Sequence, residues 1–130
     1  MLRTLLVLVV LFAPMALGAQ ESPRTSCADA KTTIEVRRCI SHDLQAAERD
    51  LDRYLQEARR RAASRALLDS AQIAWKHYRD LTCRAAGSEP GTTQPPAVLD
   101  CLLGLTRRRI HELYDHYLRK NVTALPEPEP

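Results

Sequence analysis

Four cysteines follow an N-terminal export signal in this chain of 130 residues. They are Cys27, Cys39, Cys83 and Cys101. The signal combines one basic residue, Arg3, with an apolar run over residues 5–13 and small residues that include Gly18 and Ala19. This layout is typical of a secretory signal peptide, and we expect cleavage after Gly18 or Ala19. Because disulfides form in oxidising compartments, an exported chain can pair its thiols.

The apolar run is too short to anchor the chain in a membrane. A spanning helix needs about 17 to 25 apolar residues, and this run has nine. Bacterial lipid attachment requires a cysteine directly after the cleavage site, whereas Cys27 lies well downstream. We therefore predict a signal peptide over residues 1–19, no membrane attachment after its removal, and a periplasmic or secreted protein.

The processed chain has the size of one small domain, in which cross-links contribute much of the stability. Cleavage after Ala19 leaves 111 residues, and two disulfides that close short loops would each contribute about 3 kcal/mol. No two cysteines have the C-x-x-C spacing of zinc or thioredoxin-like sites. We therefore predict structural disulfides, with neither a metal ion nor a cofactor.

The charge of the chain is nearly balanced. Loss of Arg3 with the signal leaves 18 basic and 16 acidic residues. Arginine runs occupy residues 59–61 and 107–109, but consecutive residues point in different directions around a helix, and acidic residues are interspersed. This pattern favours solvated helix faces, and we predict no nucleic-acid partner.

Three segments have the periodicity of amphipathic helices. The first has Thr32 or Thr33 as its N-cap candidate, has Glu35 in its first turn and extends to about residue 63. The second runs from about Arg65, after an N-cap at Ser64, to residue 86, with Gly87 as C-cap. The third starts near residue 97, after a proline-rich loop over residues 88–96, and stops by about residue 120. The predicted inner faces are Ile40, Leu44, Ala47, Leu51, Tyr54 and Ala58; Leu68, Ala71, Trp75, Tyr78, Thr82 and Ala85; and Leu99, Leu102, Thr106, Ile110, Leu113 and Tyr117.

These helices predict an all-α fold, an antiparallel three-helix bundle stapled by two disulfides. Pairing Cys27 with Cys39 and Cys83 with Cys101 closes the shortest loops, and we predict it among the three connectivities that four cysteines allow. The proline-rich and glutamate-rich tail over residues 121–130 is expected to be extended, mobile and disordered.

No residue pattern predicts catalysis. His111 and His116 are five residues apart, whereas the H-E-x-x-H zinc motif needs four, so the two imidazoles would lie about 140° apart around a helix. His111 and Asp115 share a face as an exposed polar pair. His42 and His77 have no nucleophile at a recognisable spacing. We predict that the protein is not an enzyme.

Trp75 and Arg79 belong to the densest aromatic and polar cluster of the chain. Their i, i+4 spacing lets the guanidinium lie over the indole while Tyr78 faces the core. Trp, Tyr and Arg dominate binding hot spots, so this cluster is a candidate binding site. The alternative, which we favour, is that the single tryptophan anchors a small core.

Three segments of the chain together resemble a known family. They are C-x-x-A-x-T-x-x-E-x-x-x-C from Cys27 to Cys39, A-Q-x-x-W-x-x-Y-R-D-x-x-C from Ala71 to Cys83, and L-T-x-x-R-x-x-E-L from Leu105 to Leu113. The chain is similar to the lysozyme inhibitor LprI N-terminal domain family over about residues 27–117, within a domain that we place at residues 20–120. The resemblance implies a small exported helical bacterial protein and, for some members, inhibition of lysozyme.

The resemblance leads to a hypothesis about the partner, a lysozyme-like muramidase. The loop over residues 88–96, held at its base by Cys83 and Cys101, is the candidate wedge for an enzyme cleft lined by carboxylates, and Arg84 beside it is the candidate cation. The alternative is a bacterial envelope module that binds another protein through its arginine-rich faces. The sequence leaves the oligomeric state open.

Overall fold

The structure is a computed structural model that describes residues 27–87, 95–120 and 125–129. It contains three α-helices: α1 is Thr33–Arg61, α2 is Arg65–Ala86 and α3 is Pro96–Leu113. A 3-10 turn, Cys27–Asp29, precedes α1, and a π-helical turn, Tyr114–Leu118, follows α3. The described ranges contain no strand, and the predicted all-α class is confirmed. The predicted signal peptide and the tip of the proline-rich loop, residues 88–94, lie outside the described residues.

The first helix begins where its capping signal predicts. The Oγ1 atom of Thr32 accepts a hydrogen bond from the backbone N–H of Glu35 at 3.2 Å. In return, the carboxylate of Glu35 accepts from the backbone N–H groups of Lys31 at 2.9 Å and Thr32 at 3.0 Å. These hydrogen bonds lower the pKa of Glu35 from its usual 4.5, and the bond from Lys31 has the largest effect. The arrangement is a complete capping box.

The capping box predicts a pH-dependent stability. Because the pKa of Glu35 is lower in the folded chain than the unfolded value of 4.5, the carboxylate stabilises the fold above pH 4.5, and this contribution is lost as the pH falls through the lowered value. Glu35→Gln keeps an acceptor but cannot titrate. In thermal unfolding, we expect the parent protein to exceed the variant in Tm at neutral pH and to lose that advantage in acid. A Tm difference that stays constant across this range would contradict the prediction.

The helices alternate in direction, so α1 and α3 are parallel and α2 is antiparallel to both. At one end, Ile40, Leu44 and Ala47 of α1 pack against Leu99 and Leu103 of α3. The larger cluster at the other end joins α1, α3, the first turns of α2 and the π-helical turn; it consists of Leu51, Tyr54, Leu55, Ala58, Leu68, Ile110, Leu113 and Leu118. The principal contact is α1 with α3, and α2 packs mainly against α3. This leaves α2 the least covered of the three helices.

Both predicted disulfides are confirmed. Cys27 and Cys39 join the 3-10 turn to the first turns of α1, with Cα atoms 5.7 Å apart. Cys83 and Cys101 join the end of α2 to the start of α3, with Cα atoms 5.5 Å apart. The second disulfide fixes the two sides of the proline-rich loop at one end of the bundle.

The inner face of α2 is not the one predicted. Tyr78, expected to face the core, is 57% exposed, and Ala71 and Ala85 are also exposed. The buried residues are Leu68, Gln72, Arg79 and Cys83, and Trp75 is half-buried. The prediction was wrong because α2 has two adjacent stripes of helical periodicity, and the stripe that contains two polar residues is the one that packs. Those polar side chains have partners inside the bundle, which makes their burial acceptable.

Gly87 is needed for close approach of two helices. Its φ of −119° is accessible to any residue. The left-handed C-cap conformation that its position predicts therefore does not explain why a glycine occurs here. A Cβ atom at Gly87 would lie 2.1 Å from Cγ2 of Val98, which is buried in the first turns of α3. The missing side chain therefore lets the end of α2 meet α3 beside the disulfide.

Two glycine substitutions should have opposite effects. Gly87→Ala introduces the clash with Val98 and should destabilise the fold by about 1–3 kcal/mol, the usual cost of overpacking. Gly104 lies inside α3, and a Cβ atom added there would meet nothing within 4 Å. Gly104→Ala should therefore stabilise the fold by about 0.5–1 kcal/mol. Urea unfolding of both variants measures these changes, and equal stability of the two would contradict the role of Gly87.

The last buried residue of the bundle is set by the π-helical turn. Periodicity predicts Tyr117 on the inner face, four residues after Leu113. In the structure, Tyr117 is half-buried and Leu118, five residues after Leu113, is 1% exposed. A π-helical turn adds one residue per turn relative to an α-helix, so it moves the next residue into the core.

Residues 125–129 lie against the helices, which differs from the expected mobile tail. The segment contains no helix, and Leu125 packs against the larger core cluster. The Tyr54 hydroxyl donates a hydrogen bond to the backbone oxygen of Pro126 at 2.6 Å, and Nε2 of His111 lies 3.0 Å from the backbone oxygen of Glu129. Burial raises the pKa of Tyr54, which keeps its hydroxyl protonated as a donor. Proline prevents a helix here but does not prevent these contacts.

Candidate functional site

Trp75 lies beside two guanidinium groups. The Cζ atom of Arg79 is 5.3 Å from the centroid of the indole and that of Arg109 is 5.8 Å away, both within the range of a cation–π interaction. Arg79 follows Trp75 on α2, and Arg109 comes from α3. The sequence correctly placed Arg79 on Trp75, but it gave no sign of Arg109, which is distant in the chain.

Arg79 links all three helices from a buried position. Its guanidinium donates to Oγ1 of Thr106 on α3 at 3.0 Å and to the carboxylate of Glu48 on α1 at 3.2 Å. Its Nε donates to the carboxylate of its neighbour Asp80 at 2.9 Å. Because Arg79 is only 6% exposed, these acceptors take the place of water around the charge. The guanidinium is therefore committed within the chain.

Thr106 and Arg109 extend this network on α3. Thr106 is completely buried, and its hydroxyl donates to the backbone oxygen of Leu102 at 2.7 Å while it accepts from Arg79. Arg109 donates from Nε to Oε1 of Gln72 at 3.1 Å and from its guanidinium to Glu112 at 2.9 Å. The Q-x-x-W-x-x-x-R and T-x-x-R segments thus form one interface between α2 and α3. This geometry favours a structural role for Trp75 and Arg79.

Loss of the Thr106 hydroxyl should destabilise the bundle. Thr106→Val keeps the shape but removes an acceptor of the buried Arg79, so we expect a cost of about 1–3 kcal/mol in free energy of unfolding. Thr82→Val is the matched control, because Thr82 is a half-buried threonine of α2 for which we expect a change below about 0.5 kcal/mol. Urea unfolding compares the two. Equal stabilities would mean that the bond between Arg79 and Thr106 contributes little.

Arg84 lies apart from the tryptophan cluster. It is exposed in the last turn of α2, directly after Cys83, and its Nε donates to the backbone oxygen of Asp80 at 3.1 Å. Arg84 and Arg79 are five residues apart, which separates them by about 140° around the helix. The structure therefore brings Trp75 and Arg79 together and leaves Arg84 at the end of the bundle held by the second disulfide.

The outer side of α2 carries most of the exposed large apolar residues. Five such residues occur among the described residues: Ile34 on α1, and Leu67, Ile73, Tyr78 and Leu81 on α2. Exposed apolar groups concentrated on one helix indicate an interaction surface. Sequence periodicity missed this surface because it assigned Tyr78 and Ala71 to the core. The signal that could have found it is the second apolar stripe of α2.

The arginine run at the end of α1 is paired with acidic neighbours. Arg59 contacts Asp69 of α2 at 2.6 Å, and Arg60 and Arg61 both pair with Glu57. The pair with Asp69 joins α1 to α2, and the pairs with Glu57 lie within the last turns of α1. Arg60 is exposed, as a solvated helix face predicts, whereas Arg59 and Arg61 are half-buried in their ion pairs.

The described residues offer no arrangement that resembles an active site. An open groove of about 470 Å3 lies between the α1–α2 turn and the end of α3, with Arg109, Glu112 and His116 among its lining residues. No serine or cysteine nucleophile pairs with a histidine there. The one cluster of metal-ligand type in the described ranges is Cys27, Cys39 and Asp43, and its two sulfur atoms are joined in a disulfide, so they supply no thiolate.

Comparison with known proteins identifies the family. An uncharacterized protein of Rhizobium meliloti (strain 1021) is 32% identical over 110 residues, covering 72% of this chain and 79% of the relative. No solved structure matches the chain. The family model described as lysozyme inhibitor LprI matches residues 25–113, which include both disulfides and the network around Arg79. The chain therefore belongs to the lysozyme inhibitor LprI family.

Proposed function

We propose that this protein is an exported, non-enzymatic inhibitor that binds a lysozyme-like muramidase. The observation that carries the proposal is the family match over residues 25–113, which spans all three helices. A helical bundle in which the buried Arg79 and Thr106 are hydrogen-bonded within the chain is suited to a binding function. Inhibition by such a protein requires only that a rigid surface block the cleft of the enzyme.

An extracytoplasmic location is part of the proposal. All four cysteines are paired, which suits an oxidising compartment such as the periplasm. The predicted export signal supports the same assignment. None of the helices among the described residues is long and apolar enough to cross a bilayer. Periplasmic or secreted lysozyme would be accessible to a protein in this location.

We place the enzyme contact at the end of the bundle that carries the second disulfide. Cys83 is completely buried and tied to Cys101, and Gly87 closely approaches Val98 one turn further on. These constraints hold Arg84 and the two sides of the adjoining loop in a fixed position relative to α3. A pre-organised contact loses little conformational entropy on binding.

Arg84 is the side chain proposed to enter the enzyme cleft. Glycosidases of the lysozyme type act with a pair of carboxyl groups, and an exposed guanidinium is a strong bidentate partner for a carboxylate. The processed chain has 18 basic and 16 acidic residues, so we expect no long-range attraction to a basic lysozyme. The proposed recognition is therefore local. Trp75 and Arg79 support it by fixing α2 in the bundle.

Charge reversal at Arg84 tests this placement. Arg84→Glu would put a carboxylate against carboxylates, so we expect inhibition of peptidoglycan clearing by lysozyme to weaken by about tenfold or more. Arg65→Glu is the matched control, since it makes the same charge change on the same helix about 28 Å away, and Arg65 is 73% exposed in its side chain. Equal loss in both variants would indicate a general charge effect and would contradict the placement.

Replacement of residues 88–94 by a short glycine–serine link is the complementary test of the loop hypothesis. Pro95 and Pro96 must be kept, because they are the N-cap and first residue of α3. We expect lost inhibition with unchanged helicity by circular dichroism. If the parent protein leaves lysozyme activity untouched at high micromolar concentration, the inhibitor proposal is wrong for this chain. The alternative, an envelope module that binds another protein, is supported by the exposed apolar residues of α2.

A further inference from the structure

The outer face of α2 carries a continuous apolar stripe. Its members recur at spacings of 4, 3, 4, 3 and 4, which is the repeat of a coiled-coil seam, and all six are exposed. They are Leu67, Ala71, Ala74, Tyr78, Leu81 and Ala85. Leu67 is 72% exposed and Leu81 is 47% exposed. We call this set the α2 stripe.

The α2 stripe contains no charged residue. Its members share one side of the helix, whereas Asp69, Lys76 and Asp80 lie about 180° to 220° further around. On one flank, Leu68 is buried and Trp75 is half-buried against the rest of the bundle. On the other flank, Ser70, His77 and Arg84 contribute no acidic group. A strongly basic partner such as lysozyme would find no electrostatic match along this stripe, so its composition favours an apolar partner surface.

The order of large and small residues in the α2 stripe is complementary to its own reverse. Read from Leu67, the order is large, small, small, large, large, small. Read from Ala85, the order is small, large, large, small, small, large, so each large residue of one reading faces a small residue of the other. We propose that the α2 stripe binds the same stripe of a second copy of this chain in antiparallel orientation. The layers are then Leu67 with Ala85, Ala71 with Leu81 and Ala74 with Tyr78, each formed twice by the twofold symmetry.

The parallel alternative does not fit the same residues. Parallel pairing in register places Leu67, Tyr78 and Leu81 each against its own copy, and it places alanine against alanine in the remaining layers. Facing alanines leave voids beside crowded layers, and proteins do not pack well with either. In the antiparallel arrangement, each layer contains one large and one small residue, so the helices approach evenly along their length.

The flanking residues are compatible with antiparallel pairing. The twofold axis passes near the middle of the α2 stripe, which places His77 beside His77 of the second copy and Arg84 beside Ser70 of the second copy. The arginine thus meets a neutral polar side chain instead of a like charge. The members of the α2 stripe are uncharged, so pairing through them breaks no ion pair of their own.

The size of the α2 stripe sets the expected strength. It is about 27 Å long and one helix wide. The area that it can bury is therefore smaller than the area of about 800 Å2 per partner that a typical stable interface buries. We therefore expect reversible association with a dissociation constant in the micromolar range. Such a dimer would be populated at high local concentration and would dissociate on dilution.

Sedimentation of the purified processed protein, from about 1 µM to about 1 mM, tests the proposal across the range in which such a dimer dissociates. The parent protein should pass from monomer to dimer. Ala74→Tyr makes a layer with two tyrosines, and Tyr78→Ala makes a layer with two alanines. Each change should raise the dissociation constant by about tenfold or more. The double variant exchanges the two residues, restores one large and one small residue in that layer, and should recover the dimer.

Ile73→Ala is the matched control, because Ile73 is 71% exposed on α2 but lies outside the α2 stripe. It should associate as the parent does, and all variants should keep their helicity because every altered residue is exposed. A parent protein that stays monomeric up to about 1 mM would overturn the proposal, as would a dimer that is indifferent to Ala74→Tyr. Failure of the double variant to recover would exclude the antiparallel register. Loss of lysozyme binding by a monomeric Ala74→Tyr variant would show that the stripe serves the enzyme instead.

Discussion

The rotation of α2 in the bundle depends on one buried guanidinium. Arg79 requires acceptors because it is almost fully enclosed, and it finds them in Thr106 of α3 and Glu48 of α1. Turning α2 by one residue would withdraw Arg79 from Thr106 and Glu48 and leave a buried guanidinium without these acceptors. Such unsatisfied groups cost more than most apolar contacts contribute. The disulfide between Cys83 and Cys101 fixes the same rotation covalently at the end of the helix.

This rotation determines which residues the protein presents to solvent. Because Arg79 and Gln72 point inward, Tyr78 and Leu81 point outward, and α2 exposes an apolar surface that its own bundle does not cover. The burial of these polar groups also accounts for the loose packing of α2 against α1, because it leaves α2 less apolar area to bury against two neighbouring helices. The interior of this small domain is thus partly polar, and part of its apolar surface is outside. Buried polar groups together with exposed apolar residues are expected where a surface serves binding.

The sequence predicted the elements of the fold well, because local signals fix them. Thr32 with Glu35 and Ser64 mark the starts of α1 and α2, and the short loops between cysteines favour the observed pairing. The inner face of α2 could not be predicted in the same way. The apolar stripe that includes Ala71 and Tyr78 fits the helical period, but the face that packs contains two polar residues, and its burial depends on Thr106 and Glu48, which are distant in the chain. Neither the π-helical turn before Leu118 nor the contact of Tyr54 with Pro126 has a local signal.

The same contrast between local signals and contacts distant in the chain applies to the candidate site. The sequence placed Arg79 on Trp75, since they are one helical turn apart, but it could not show that Arg109 also reaches the indole from α3. It assigned Arg84 to the loop end on the basis of neighbouring Cys83, which is a local relation and is what the structure has. It missed the outer stripe because an apolar residue on a helix is normally assigned to the core. Exposure depends on the rotation of the helix, which is a tertiary property.

The two proposed surfaces on α2 are compatible because they occupy different parts of the helix. Antiparallel pairing through the α2 stripe places the two disulfide-held ends about one helix length apart, at opposite ends of the dimer. Arg84 then lies at the rim of the paired helices, where its guanidinium keeps access to solvent. Each copy would retain its own proposed contact with a lysozyme, and a dimer would carry two. Bivalent engagement raises avidity only where the two targets are themselves held together, so the dimer would strengthen inhibition of lysozyme molecules bound to one peptidoglycan surface.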